Sequence, residues 1–203
     1  MQSKDELNLI NNNKTLIICF GGLMSRFAGI PPFEFLNYLS SLYTTKCDLI
    51  FYIDRHQCWY HKGIAGITNN IVDTVRYLNN TIQSYNKVIF MGSSAGGYAA
   101  ILFGSLCNHV DDVIAFIPQT ILSTPVDTTY RDLRTFMNTT TNFQLIGDLS
   151  EKDIKSHHHI RHCIHLQQCK NVHIVSLDKV NLKELRDSGF IKRLLDNIID
   201  VTT

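Results

Sequence analysis

Two glycines bracket a serine in Gly92-Ser93-Ser94-Ala95-Gly96, at the point where the apolar run Lys87 to Met91 gives way to the helix-forming run Tyr98 to Leu106. A serine at the tip of so tight a strand-to-helix turn takes up a strained backbone conformation, so the residues two before and two after it must be small. Gly92 and Gly96 meet that demand. The turn also aims the first amides of the following helix, Ala95's foremost, at the hydroxyl, where the helix dipole favours a developing oxyanion. The predicted chemistry is nucleophilic attack by Ser94 on an acyl carbon. A glycine-rich turn that merely packs a helix closely on a strand is the plainer alternative. A phosphate-cradling loop fits less well, since neither a Walker lysine nor a Gly-x-Gly-x-x-Gly pattern accompanies the turn. Earlier in the chain, Phe20-Gly21-Gly22-Leu23 follows another apolar run. There the amide of Gly22 or Leu23 is the candidate second oxyanion donor, with a simple turn as the competing explanation.

Such a serine needs a rigid sheet beneath it. Thr15 to Phe20, Asp48 to Ile53, Lys87 to Met91, Val113 to Ile117 and Asn171 to Leu177 are continuous apolar or β-branched runs, as expected of strands covered on both faces. Between them, Ile71, Val75, Leu78, Ile82 and Tyr85 share one helical face. Leu182 to Ile199 forms another amphipathic helix, open to interruption at Gly189. Strands alternating with helices predict right-handed βαβ units and a mostly parallel sheet in an α/β fold. The expected organisation is a polar lead-in over residues 1–14 and a single domain over 15–203. The loop-like stretch from Gln119 to Asn142 is expected to form a lid or rim.

The order FGG-L, PPFEFL, D-x-x-x-x-WYHKGI, MGSSAGGYAAILFG and IPQT across residues 20 to 120 resembles a family of small α/β hydrolases. That family is encoded among bacterial and large-virus polysaccharide and glycan genes, and its members look like serine esterases or acetyl-hydrolases. The resemblance covers about two thirds of the chain. It implies the α/β-hydrolase fold, a Ser-Asp-His machinery with Ser94 as nucleophile, and Trp59, Tyr60 and His61 at the substrate rim. It also implies an acid in the loop 147–153, where Asp153 is the first choice and Asp148 the second. Helix capping by Ser150 or Asp153 accounts for that loop equally well. The family's histidine precedes a segment resembling Asn181-Leu-x-x-Leu-Arg-Asp-x-Gly, and Val180 stands where that base is expected.

A serine hydroxyl without a base is a poor nucleophile. No histidine follows His173, which lies in an expected strand and reads as a packing residue. Replacement of the base by His61, or by a histidine of the segment Ser156 to Cys169, stays open because triads are defined by geometry. On a helix, His158, His162, His165 and Cys169 would line one stripe that could hold a metal. That stripe is about 16 Å long at 1.5 Å per residue, too straight to wrap one ion with all four ligands, and a solvated helix face is the plainer reading.

Nineteen basic and eighteen acidic residues give a formal net charge of +1, which argues against nucleic acid or an anionic membrane as partner. No apolar run approaches a membrane span of about 20 residues. Six scattered cysteines without a Cys-x-x-Cys pair, and no secretory leader, predict core thiols in a cytoplasmic protein. The expected substrate is a small-molecule or glycan ester, with no cofactor. The alternative function is a catalytically degraded hydrolase fold that binds a glycan or a partner, with a metal-dependent protein as a third reading.

Overall fold

A computed structural model describes residues 5–23, 33 and 35–199 of the 203. Seven strands form one sheet: β1 (Glu6–Leu9), β2 (Thr15–Phe20), β3 (Cys47–Tyr52), β4 (Lys87–Ser93), β5 (Asp112–Phe116), β6 (Asn142–Asp148) and β7 (Val172–Leu177). Their spatial order is β1-β3-β2-β4-β5-β6-β7. Every pairing is parallel except that of β1 with β3.

The expected burial on both faces follows directly. Along β2, Leu16, Ile18 and Phe20 enter one core, while Ile17 and Cys19 enter the other. The first core is covered by α2 (Ile71–Ile82) and α3 (Ala95–Leu106), and the second by α1 (Leu36–Tyr43), α5 (Leu182–Asp187) and α6 (Phe190–Ile199). Asn70 caps α2 by accepting from the Asp73 amide at 2.8 Å. Gly189, at φ 72°, breaks the C-terminal helical pattern into α5 and α6, a backbone angle only glycine takes without strain.

Two strands were not evident among the continuous apolar runs. β6 carries Gln144 in its middle and polar ends, yet Phe143, Leu145 and Ile146 are fully buried. β1 corrects the expectation of a solvated lead-in. Its alternation of Glu6, Leu7, Asn8 and Leu9 has the period of a strand, and Leu7 and Leu9 pack against the second core.

The strand order reverses between β2 and β4: β3 lies on one side of β2, and the chain then crosses back to β4 on the other. In open α/β sheets, ligand sites gather at such a switch point, beyond the carboxyl ends of the strands. Ser94 stands immediately after β4 at that point. The two glycines are what let the elbow close there. A Cβ on Gly96 would lie 2.0 Å from the Phe20 carbonyl oxygen, and one on Gly92 would lie 2.3 Å from the Gly96 oxygen. Both obstacles are backbone, so no side-chain rearrangement relieves them. We predict that Gly96→Ala lowers stability by roughly 3 kcal/mol, the upper range for overpacking, as read by urea unfolding. Gly97→Ala should cost less, because its Cβ would meet Pro118 at 3.2 Å.

Candidate active site

The chain bends sharply at Ser94, whose φ of 55° and ψ of −116° fall outside the regions ordinary residues populate. The bend is pinned at both backbone groups. The Ser94 amide donates to the Phe116 carbonyl at the end of β5 (2.9 Å), and the Ser94 carbonyl accepts from the Tyr98 amide (3.0 Å). A non-glycine residue held there stores of the order of 1–3 kcal/mol of strain, which the surrounding packing must sustain. Ser94 is half-buried.

Its Oγ lies 2.8 Å from Nε2 of His158. The loop after β7 carries Val180, and the imidazole beside Ser94 comes instead from the connection between β6 and β7. The expected helical stripe of histidines does not form. Only Arg161–Ile164 is helical there, as α4, and a tight turn precedes it. The histidines therefore diverge. His158 meets Ser94, His162 is buried with its Nδ1 accepting from the Thr120 amide (3.1 Å), and His165 pairs with Asp132 (2.7 Å). Among the described residues no group of three or more His, Cys, Asp or Glu is arranged to hold a metal ion.

The His158 side chain remains exposed to solvent on one side, and partial desolvation against the site, assisted by the neighbouring His157, lowers its pKa against weaker pulls from Glu151 and Asp148. Its imidazole is therefore neutral at neutral pH and able to accept the serine proton at Nε2. Among the described residues no carboxylate hydrogen-bonds to the ring; its backbone amide is tied to Ser156 Oγ at 3.2 Å. Asp153 is exposed and turned away in a local turn, accepting from the Lys155 amide at 2.9 Å. Asp148, at the end of β6, is buried. Its Oδ1 accepts from the Ser150 amide (2.7 Å) and hydroxyl (2.6 Å), and its Oδ2 accepts from the Val180 amide (2.9 Å). Burial alone would raise its pKa, but these donors together outweigh that and hold the carboxyl below its usual range. Asp148 thus joins the loop carrying Val180 to the strand that leads to His158.

The expected rim residues divide. Trp59, at φ 56°, is half-buried, and its indole N–H donates to Gln119 Oε1. Tyr60 is fully buried, and its hydroxyl lies 3.1 Å from both the Gly21 and the Tyr52 carbonyl oxygens. His61 is buried as well. Because the Asp127 amide donates to its Nδ1 (3.0 Å), the proton sits on Nε2, 2.9 Å from the Tyr98 hydroxyl, which in turn donates to the Tyr130 carbonyl (2.6 Å). Both ring nitrogens of His61 are therefore committed away from Ser94. Asp54 organises this loop by accepting from the amides of Cys58 (2.7 Å) and Tyr60 (3.1 Å).

Gly21 donates to the Tyr52 carbonyl at 2.9 Å, which fixes the start of the 21–23 loop beside Gly96. Gly22 is half-buried and Leu23 exposed. Pro31, Pro32 and Glu34 of the PPFEFL segment lie outside the described residues. The stretch after β5, expected as lid or rim, is ordered by two short 3₁₀ turns, Thr128–Tyr130 and Leu133–Phe136. It delivers one residue that sequence reasoning did not single out: Gln119, whose Nε2 lies 3.2 Å from Ser94 Oγ. His173, expected to pack, is exposed on the edge strand β7. All six cysteines are free, and five are buried. Among the described residues no helix is long and apolar enough to cross a membrane.

No protein-family model and no curated protein matches the chain. Solved structures do. The capsule O-acetyltransferase of Neisseria meningitidis serogroup A superposes with a TM-score of 0.59 at 15% identity, over 92% of this chain and 87% of that one. An α/β hydrolase enzyme from the metagenome of Mar Chica lagoon sediments gives 0.61 at 13% identity, over 96% and 95%. Esterase B of Lactobacillus rhamnosis gives 0.54 at 14%, over 92% and 80%. At such identities the likeness is one of architecture. The mostly parallel seven-stranded sheet with helices on both faces is a small α/β-hydrolase fold.

Proposed function

We propose that this protein is a serine-type acyl-ester enzyme built on a Ser94–His158 pair. The observation that supports this best is the 2.8 Å contact between Ser94 Oγ and the His158 imidazole, at the tip of a strained elbow. In this reading Ser94 Oγ attacks the ester carbonyl carbon while His158 Nε2 takes the hydroxyl proton. The tetrahedral oxyanion is held by the amide of Ala95, a first-turn donor with no intrahelical acceptor, and by that of Gly22 or Leu23. The alcohol leaves with the proton from His158, and an acyl-serine remains. A water molecule, or a carbohydrate hydroxyl in a transfer reaction, then attacks that ester with its proton passing to His158. Collapse of the second tetrahedral intermediate returns the electron pair and the proton to Ser94 Oγ.

Asp148 replaces Asp153 as the proposed acid. It acts on His158 through its charge rather than through a hydrogen bond, which predicts a slower base than a fully assembled triad. Trp59 is the remaining candidate for substrate contact. A small or glycan-borne acyl ester is the proposed substrate class, supported by the sequence resemblance and by the O-acetyltransferase among the structural neighbours. The proposed setting is a single domain in the cytoplasm, in keeping with the free buried thiols. Val180 favours a second reading, a hydrolase fold retained for binding, in which the His158 contact does no chemistry.

A fluorophosphonate probe separates the two readings. We predict covalent labelling of the native protein, none of Ser94→Ala, and labelling about 10³-fold slower for His158→Ala. Absence of Ser94-dependent labelling leaves the binding reading. A further expectation concerns pH. Because the folded-state pKa of His158 is lowered, the base stays unprotonated into mildly acidic solution. The acid limb of kcat/KM should therefore lie below the ordinary imidazole value of about 6.5, as read from ester hydrolysis across pH.

A further inference from the structure

The partners of Gln119 fix which way its amide faces. An indole nitrogen can only donate, so the side-chain atom facing Trp59 must be the carbonyl oxygen, and the NH₂ group must face Ser94 Oγ, 3.2 Å away. Gln119 is almost fully buried. Its backbone is clamped on both sides: Ile117 takes a left-handed φ of 40° with its amide on the Ile146 carbonyl (2.7 Å), and the next residue, Thr120, donates its amide to His162 Nδ1 and its hydroxyl to the His162 carbonyl (2.8 Å). A positive φ at a β-branched residue is a costly conformation. Here it turns the chain after β5 so that Gln119 reaches the elbow.

Ser94 Oγ has one proton and two lone pairs. The proton goes to His158 and one lone pair accepts from Gln119, which leaves one lone pair for attack. We propose that Gln119 is a catalytic hydrogen-bond donor to Ser94 Oγ that acts chiefly in deacylation, with Trp59 as the positioning residue that fixes its amide. This rests on the acyl-serine reading above. In acylation, the donor withdraws electron density from the attacking oxygen, so its help and its hindrance largely offset each other. In deacylation, the bond between the acyl carbon and Oγ breaks with its electron pair going to Oγ, and His158 returns the proton to that oxygen. The Gln119 N–H meets the charge as it develops, and the hydrogen bond strengthens in the transition state only.

The test is rapid-mixing kinetics with p-nitrophenyl acetate, in which the burst reports acylation and the steady state reports deacylation. Gln119→Ala is expected to slow the steady state about tenfold, change the burst rate constant less than threefold, and raise the burst amplitude towards one per enzyme. Gln119→Glu presents a carboxylate oxygen to Oγ, and its deficit relative to native protein should shrink as pH falls and that carboxylate protonates. Trp59→Phe should reproduce the Gln119→Ala asymmetry more weakly, and it carries the comparison if Gln119→Ala does not fold by circular dichroism. Equal slowing of both phases, or no change in either, overturns the proposal while leaving a Ser94-dependent enzyme. Failure of the native protein to show any Ser94-dependent labelling removes the acyl-serine reading itself.

Discussion

The site depends on one close approach. Where β4 passes beside β2, the carbonyl of Phe20 touches the start of α3 so tightly that no side chain fits at Gly92 or Gly96. That contact lets the chain reverse at Ser94 in a conformation an isolated serine would avoid, and hydrogen bonds to Phe116 and Tyr98 lock it. The surrounding layers explain why the lock holds. β2, β4 and β5 are buried on both faces, and nearly every residue of α3 is buried, so the elbow cannot relax without opening the core.

With the serine fixed, the proposed reaction asks only that a base arrive in place. The loop after β7 carries Val180, yet its backbone remains tied to Asp148, and the imidazole at Ser94 comes from the turn between β6 and β7. Proton transfer depends on the distance and basicity of the acceptor, not on its place in the chain. Among the described residues no carboxylate is hydrogen-bonded to that imidazole. Asp148 spends its lone pairs on Ser150 and Val180, so it steadies the loops while acting on His158 only through its field.

The sheet and the elbow were legible because each rests on a local signal: continuous apolar runs for covered strands, and small residues at fixed offsets around Ser94. β1 and β6 escaped because short alternation and a central glutamine resemble loop until their partners are known. The imidazole beside Ser94 was harder. Adjacent histidines suggested a helical stripe, whereas Ser156 and the turns around it break the helix and send His158, His162 and His165 to three different partners. Gln119 figured only as one letter of the IPQT segment and as the start of the expected rim, with no role of its own. Its place beside Ser94 arises from a left-handed Ile117 and from Trp59, sixty positions earlier in the chain, neither of which a pattern of residue types reveals.

The central claim is that Ser94 and His158 form one reacting unit. A crystal structure of the protein after treatment with a small organophosphonate tests it at the atoms concerned. The account predicts phosphorus bonded to Ser94 Oγ, with His158 Nε2 within about 3 Å of that oxygen or of the adduct. An unmodified Ser94, or an adduct with a different side chain at that position and His158 turned away, would contradict it.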